Sequence, residues 1–138
     1  TYNNQLMLLS IKITPMKSIH IKKILLLDDD KIQKILVEKR LLQIEAGLEF
    51  VYFDTPSNAL DFLRTESVDL LLVDLNLPEM SGWEFVNEAV KVSPNSEIIL
   101  QSGSVERAEM ERVESDERIS KIFEKPLSES DLRSILGL

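Results

Sequence analysis

Ile24-Leu25-Leu26-Leu27-Asp28-Asp29-Asp30 is an apolar run that stops abruptly at three acids. Its four apolar residues do not alternate with polar ones, the pattern of a strand buried on both faces in a parallel sheet. Downstream, the stretch from Lys31 to Leu42 places Ile32, Ile35, Leu36 and Leu42 near one helical face, with Asp30 as N-cap. Strand, acids and helix together form one βα unit, and the unit recurs. Leu48 to Phe53 is aromatic and β-branched and reads as strand two. Thr55 then offers an N-cap and Pro56 a first helical position for a helix ending near Thr65. Asp69 to Val73 is strand three, and it too stops at an acid, Asp74. Leu75 to Gly82 holds Pro78 and a glycine and reads as a loop, before a helical period from Trp83 to Val92. After the break at Ser93-Pro94-Asn95, Ile98 to Leu100 is strand four, Ser102-Gly103-Ser104 a loop, and Val105 to about Glu117 a charged fourth helix. Ile119 to Glu124 is strand five, ending at Lys125-Pro126, and Ser128 caps a last helix that runs to Leu136. Strict alternation of this kind predicts a parallel α/β sheet with right-handed crossovers and helices on both faces.

The chain has 138 residues, 43% of them apolar and 29% charged, which suits one globular domain with a single core. Its longest apolar runs fall far short of the roughly 18 residues of a membrane span, so no membrane insertion is expected. The apolar patch Leu6 to Leu9 lacks the flanks of a secretion signal. Without cysteine there is neither a disulfide framework nor a thiolate metal site, and a cytoplasmic location is compatible. A net charge of −8 removes the electrostatic drive toward phosphate backbones, so nucleic acid is not an expected direct partner. Residues 1–21 read as an N-terminal extension outside the fold, with Met16-Lys17-Ser18 a candidate translation start, and 22–138 as the domain.

In an open parallel sheet the ligand site lies outside the carboxyl ends of the strands. At those ends stand Asp28 and Asp29, Asp74, Ser102 and Lys125. Taken singly, each has an ordinary role as helix cap, turn residue or solvated loop residue. Taken together they converge. Three carboxylates within a few ångströms repel one another unless a cation neutralises them. With no histidine or cysteine at these positions, Mg²⁺ suits the donor set better than zinc. A lysine and a serine hydroxyl beside the ion suit a phosphoryl group, and an ionised aspartate is a nucleophile that needs no general base.

The order Asp28-Asp29, Asp74, Ser102-Gly103, Lys125-Pro126, with Asn76, Pro78 and Gly82 after Asp74, resembles the receiver domain of two-component response regulators from Lys22 to Leu138. The resemblance implies a doubly wound, flavodoxin-like (βα)5 fold with a five-stranded sheet of order 2-1-3-4-5. It implies that Asp74 is the phosphoacceptor and a metal ligand, Asp29 a direct Mg²⁺ ligand, Asp28 a ligand largely through water, and Asn76 a ligand through its backbone carbonyl. Ser102 would bind and report the phosphoryl group, Lys125 would pair with its oxygens, and Gly103 would leave the acceptor open to a donor. The implied role is a stand-alone cytoplasmic phosphoprotein rather than an enzyme, with only self-phosphorylation and autodephosphorylation. Its implied partners are a sensor histidine kinase or histidine phosphotransfer protein and a downstream protein target met on the face of helix four, strand five and helix five, with output either by that contact or by onward phosphotransfer to a histidine.

Two positions depart from the pattern. Receivers commonly carry Tyr or Phe three residues before the lysine, where this chain has Ile122; neighbouring Phe123 reads as a core strand residue. Asp30 makes the acidic pair a triplet, and it is assigned as the helix cap. Trp83 reads as packing, and His20, the only histidine, falls in the extension. Two alternative readings fit the residues less well. A haloacid dehalogenase-type phosphatase needs an acid where Asn76 stands and its paired acids last in the chain rather than first. An unphosphorylated interaction module usually lacks one of the residues present here.

Overall fold

The structure is a computed structural model that describes residues 20–138. Most of the expected extension, including Leu6 to Leu9 and Met16, lies outside the described residues. Five units follow in order: β1 (Lys23–Leu27), α1 (Lys31–Ile44), β2 (Glu49–Phe53), α2 (Pro56–Thr65), β3 (Leu70–Asp74), α3 (Gly82–Val92), β4 (Glu97–Ser102), α4 (Arg107–Ser115), β5 (Lys121–Glu124) and α5 (Glu129–Ile135). The strands form one parallel sheet in the order β2-β1-β3-β4-β5. The expected architecture and strand order are therefore present.

Alternation along the central strands builds two apolar layers. Leu25, Leu27, Leu71, Val73, Ile98 and Leu100 point to one face, where Ala59, Leu63, Phe85, Val86, Ala89 and Val113 from α2, α3 and α4 cover them. Ile24, Leu26, Leu70, Leu72 and Ile99 point to the other, under Val37 and Leu41 of α1 and Leu132 and Ile135 of α5. Burial on both faces explains why β1 and β3 read as unbroken apolar runs.

Three local expectations change. On α1 the apolar face expected from Ile32, Ile35 and Leu36 is outside, at 73%, 59% and 39% exposure, while Gln33, Val37 and Leu41 are buried. Thr55 precedes α2 and Pro56 opens it, but the Thr55 hydroxyl makes no capping bond and is buried without a partner. The first turn of α2 is instead served by Glu79, whose carboxylate accepts from the Ser57 N–H at 3.0 Å and hydroxyl at 3.1 Å. Helix α4 is shorter than expected and starts at a capping box between Glu106 and Glu109. Asp30 and Ser128 cap α1 and α5 as expected, Asp30 accepting from the N–H groups of Ile32 and Gln33.

Candidate functional site

Strand register brings the chemistry to one edge. Leu27 pairs with Val73, so the residues that follow, Asp28 and Asp74, lie side by side where the strand order reverses between β1 and β3. Asp74 in turn pairs with Gln101, and Ser102 with Glu124, which sets Lys125 one step beyond. Backbone bonds continue the ladder past the strands, from Leu75 N–H to Gln101 C=O at 2.9 Å and from Lys125 N–H to Ser102 C=O at 2.8 Å.

The Lys125 ammonium bridges the two buried acids, 2.9 Å from Asp28 Oδ2 and 2.8 Å from Asp74 Oδ2. Asp74 Oδ1 accepts from the Asn76 N–H at 3.0 Å, and Asp28 Oδ1 from the Asp30 N–H at 2.9 Å. Burial pushes the Asp28 carboxyl up to about 6, against the opposing pull of the Lys125 and Asp30 hydrogen bonds. Burial also works to lower the Lys125 pKa, but its bonds to Asp74 and Asp28 outweigh that and hold it above the ordinary lysine value. One lysine thus stabilises two carboxylates that repel each other.

Asp29 is exposed beside this pair, and Asp28, Asp29 and Asp74 each offer a carboxylate oxygen within 4.8 Å of the others. This is the one such acidic group among the described residues. All its donors are hard oxygens, which fits a divalent cation such as Mg²⁺ and not a metal that prefers sulfur.

The remaining expected residues sit around this centre. Ser102 is buried at the end of β4, and its hydroxyl donates to the Ser104 carbonyl at 3.0 Å. Gly103 is exposed, and a Cβ there would meet nothing within 4 Å. Ile122 pairs with Leu100 and packs, partly buried, against the α2–α4 layer, while Phe123 packs against the opposite layer under the Lys121 ammonium. Trp83 packs on the first layer with the Arg112 guanidinium 3.9 Å from its ring centre, joining α3 to α4.

Three neighbours were missed in the sequence. Gln101 is fully buried and its amide donates to Asp28 Oδ2 at 3.1 Å. The Tyr52 hydroxyl donates to the Asp28 carbonyl at 2.7 Å. Glu124 accepts from the Val105 N–H at 3.0 Å, tying the β4–α4 loop to β5. Only Gln101 carried a signal: a glutamine in a strand buried on both faces requires a partner.

Fold and acidic site together are consistent with a phosphoaccepting signalling role. Residues 24–137 match the response regulator receiver domain family, and the chain belongs to that family. Receiver domains are signalling modules rather than enzymes, apart from their own phosphorylation and dephosphorylation. The response regulator receiver protein CpdR of Brucella abortus is 33% identical over 112 residues, 80% of this chain and 90% of that protein. The autoinducer 1 sensor kinase/phosphatase LuxN of Vibrio campbellii is 28% identical over 114 residues, 83% of this chain; the match spans only 13% of LuxN. Among solved structures, a CheY-like receiver domain protein from Methanospirillum hungatei aligns with a TM-score of 0.73 at 26% identity, covering 85% of this chain and 91% of the other. A two-component response regulator from Cytophaga hutchinsonii shares the fold, with a TM-score of 0.78 at 21% identity over 86% of this chain and 96% of the other.

Proposed function

We propose that this domain accepts a phosphoryl group on Asp74 from a phosphohistidine of a sensor kinase or histidine phosphotransfer protein. The observation that carries the proposal is the Lys125 ammonium shared between Asp74 and Asp28 at the sheet edge, with Asp29 beside them. An Asp74 carboxylate oxygen attacks phosphorus, the P–N bond breaks with its electron pair remaining on the imidazole, and a P–O bond makes the acyl phosphate. Lys125 is already bonded to the Asp74 carboxylate, so it needs only a small shift to neutralise the arriving phosphoryl oxygens. Asp28, Asp29 and Asp74, with the Asn76 carbonyl, would hold Mg²⁺, which when bound supplies charge neutralisation for the same oxygens.

The new group brings about −1.5 to −2 charge. Ser102 gives the loop a means of sensing it, because its hydroxyl must leave the Ser104 carbonyl to donate to phosphoryl oxygen. Gly103 leaves that approach open. With Ile122 in place of a ring, the readout rests on the β4–α4 loop and α4, and the face of α4, β5 and α5 meets a protein target in the cytoplasm.

The test is intact-mass measurement after incubation with a small phosphodonor and Mg²⁺, comparing the parent with Asp74→Asn. The parent gains one phosphoryl group only when Mg²⁺ is present, and the variant gains none. A parent that stays unmodified overturns the proposal and leaves the domain as an interaction module.

A further inference from the structure

Gln101 sits where the layout calls for an apolar residue. It follows Ile98, Ile99 and Leu100 on a central strand, it is fully buried, and its Oε1 has no hydrogen-bond partner. Its side chain reaches past Asp74, its neighbour on β3, to donate from Nε2 to Asp28 Oδ2 at 3.1 Å. An amide oxygen left without a donor in a buried site is unfavourable, and an apolar side chain of the same length would avoid it. Such unfavourable polar groups concentrate where they serve a site.

We infer that Gln101 is a positioning residue of the phosphoacceptor site: it holds the Asp28 carboxylate in place so that Lys125 is free to move onto the phosphoryl group. This rests on the phosphoacceptor reading of Asp74. Three donors converge on Asp28: the Asp30 N–H on Oδ1, and Lys125 Nζ with Gln101 Nε2 on Oδ2. A carboxylate has about four in-plane acceptor positions, so one remains for the metal side. When Lys125 turns to the incoming phosphoryl oxygens, Asp28 loses its only side-chain cation among these partners. Gln101 remains on the same oxygen and keeps the carboxylate from swinging away from the metal position. A second lysine there would compete for the phosphoryl group; a neutral amide does not.

The experiment uses Gln101→Met, which keeps the length and removes the amide, with Gln101→Leu as the second variant should methionine disturb folding. Mg²⁺ affinity is measured on the whole chain by calorimetry, alongside phosphorylation rate against Mg²⁺ concentration and urea unfolding without metal. Mg²⁺ affinity falls about tenfold, the lower end of what losing a partner of a metal ligand costs. The Mg²⁺ needed for half-maximal phosphorylation rises in step, the rate at saturating Mg²⁺ stays within about twofold, and stability without metal does not fall. Unchanged or tighter Mg²⁺ binding in a folded variant overturns the inference, as does a loss of stability with Mg²⁺ affinity intact, which is the signature of a purely structural residue. A parent that neither binds Mg²⁺ nor gains a phosphoryl group overturns the phosphoacceptor reading itself, which is a different result from variants that match an active parent.

Discussion

Two glycines near Asp74 look alike in the sequence and differ in what they permit. A Cβ on Gly82 would lie 2.7 Å from the Asp74 carbonyl oxygen and 2.8 Å from Leu75 Cα, both backbone atoms that cannot turn aside. The Gly82 N–H also closes the loop on the Leu75 carbonyl at 2.8 Å. Gly82→Ala should therefore destabilise the domain by about 1–3 kcal/mol and slow phosphorylation, because the strain falls on Asp74, the proposed acceptor. Gly103→Ala should change stability by less than about 0.5 kcal/mol. Urea unfolding of both variants decides, and equal effects would sink the distinction. Asp28 offers a second prediction at this scale. Burial, more than its hydrogen bonds can offset, raises its folded pKa to about 6 from an ordinary 3.8, so between these values the folded protein binds more protons than the unfolded one. Stability from this group thus falls as pH rises from about 4 to about 6 and levels off above, by a total on the order of 3 kcal/mol. Asp28→Asn removes that fall while the other carboxylates titrate in both proteins. Parallel stability profiles for parent and variant across this range, without Mg²⁺, would contradict the assignment.

Among the elements, α1 shows what periodicity can and cannot decide. Ile32, Ile35, Leu36 and Leu42 fit a helical stripe, but so do the residues the fold buries, Val37 and Leu41 with Gln33 in line. Apolar residues on two sides of one helix leave its rotation undetermined, and a buried glutamine breaks the true stripe. Leu41→Ala should cost about 2–4 kcal/mol and Ile35→Ala less than about 0.5 kcal/mol, read from urea midpoints. The reverse order would mean that the expected face is the packed one. The strands were legible for the opposite reason. Four consecutive apolar residues ended by Asp28 or Asp74 admit few structures other than a doubly covered strand. The centre of the site was legible because its residues stand at strand ends, where topology alone brings them together. Its supports were not. Gln101 meets Asp28 across 73 positions, Tyr52 meets its carbonyl across 24, and Glu79 reaches the start of α2 across 22. Each contact depends on side-chain reach after packing, which spacing along the chain does not encode.

At the scale of the molecule, the sheet makes local chemistry a property of the whole domain. Both apolar layers grip the same central strands, so β1 and β3 cannot separate without exposing the two of them. The acids at the ends of these strands are held by a single lysine, and a cation among them should stabilise the entire cooperative unit rather than one loop. A ligand that binds only the folded state adds about 2.7 kcal/mol at a hundred times its dissociation constant. Millimolar Mg²⁺ should accordingly raise the unfolding midpoint at pH 7, measured against NaCl of equal ionic strength. The acidic triplet then separates by variant. Asp29 is exposed and lies in the carboxylate cluster, so Asp29→Asn should leave the metal-free protein at least as stable, by relieving repulsion, and abolish the Mg²⁺ shift. Asp30 caps α1 through the N–H groups of Ile32 and Gln33, a role asparagine fills equally well, so Asp30→Asn should keep both the stability and the shift. Loss of the Mg²⁺ effect in Asp30→Asn with its survival in Asp29→Asn would move the metal site one residue along the chain and overturn the assignment of roles within the triplet.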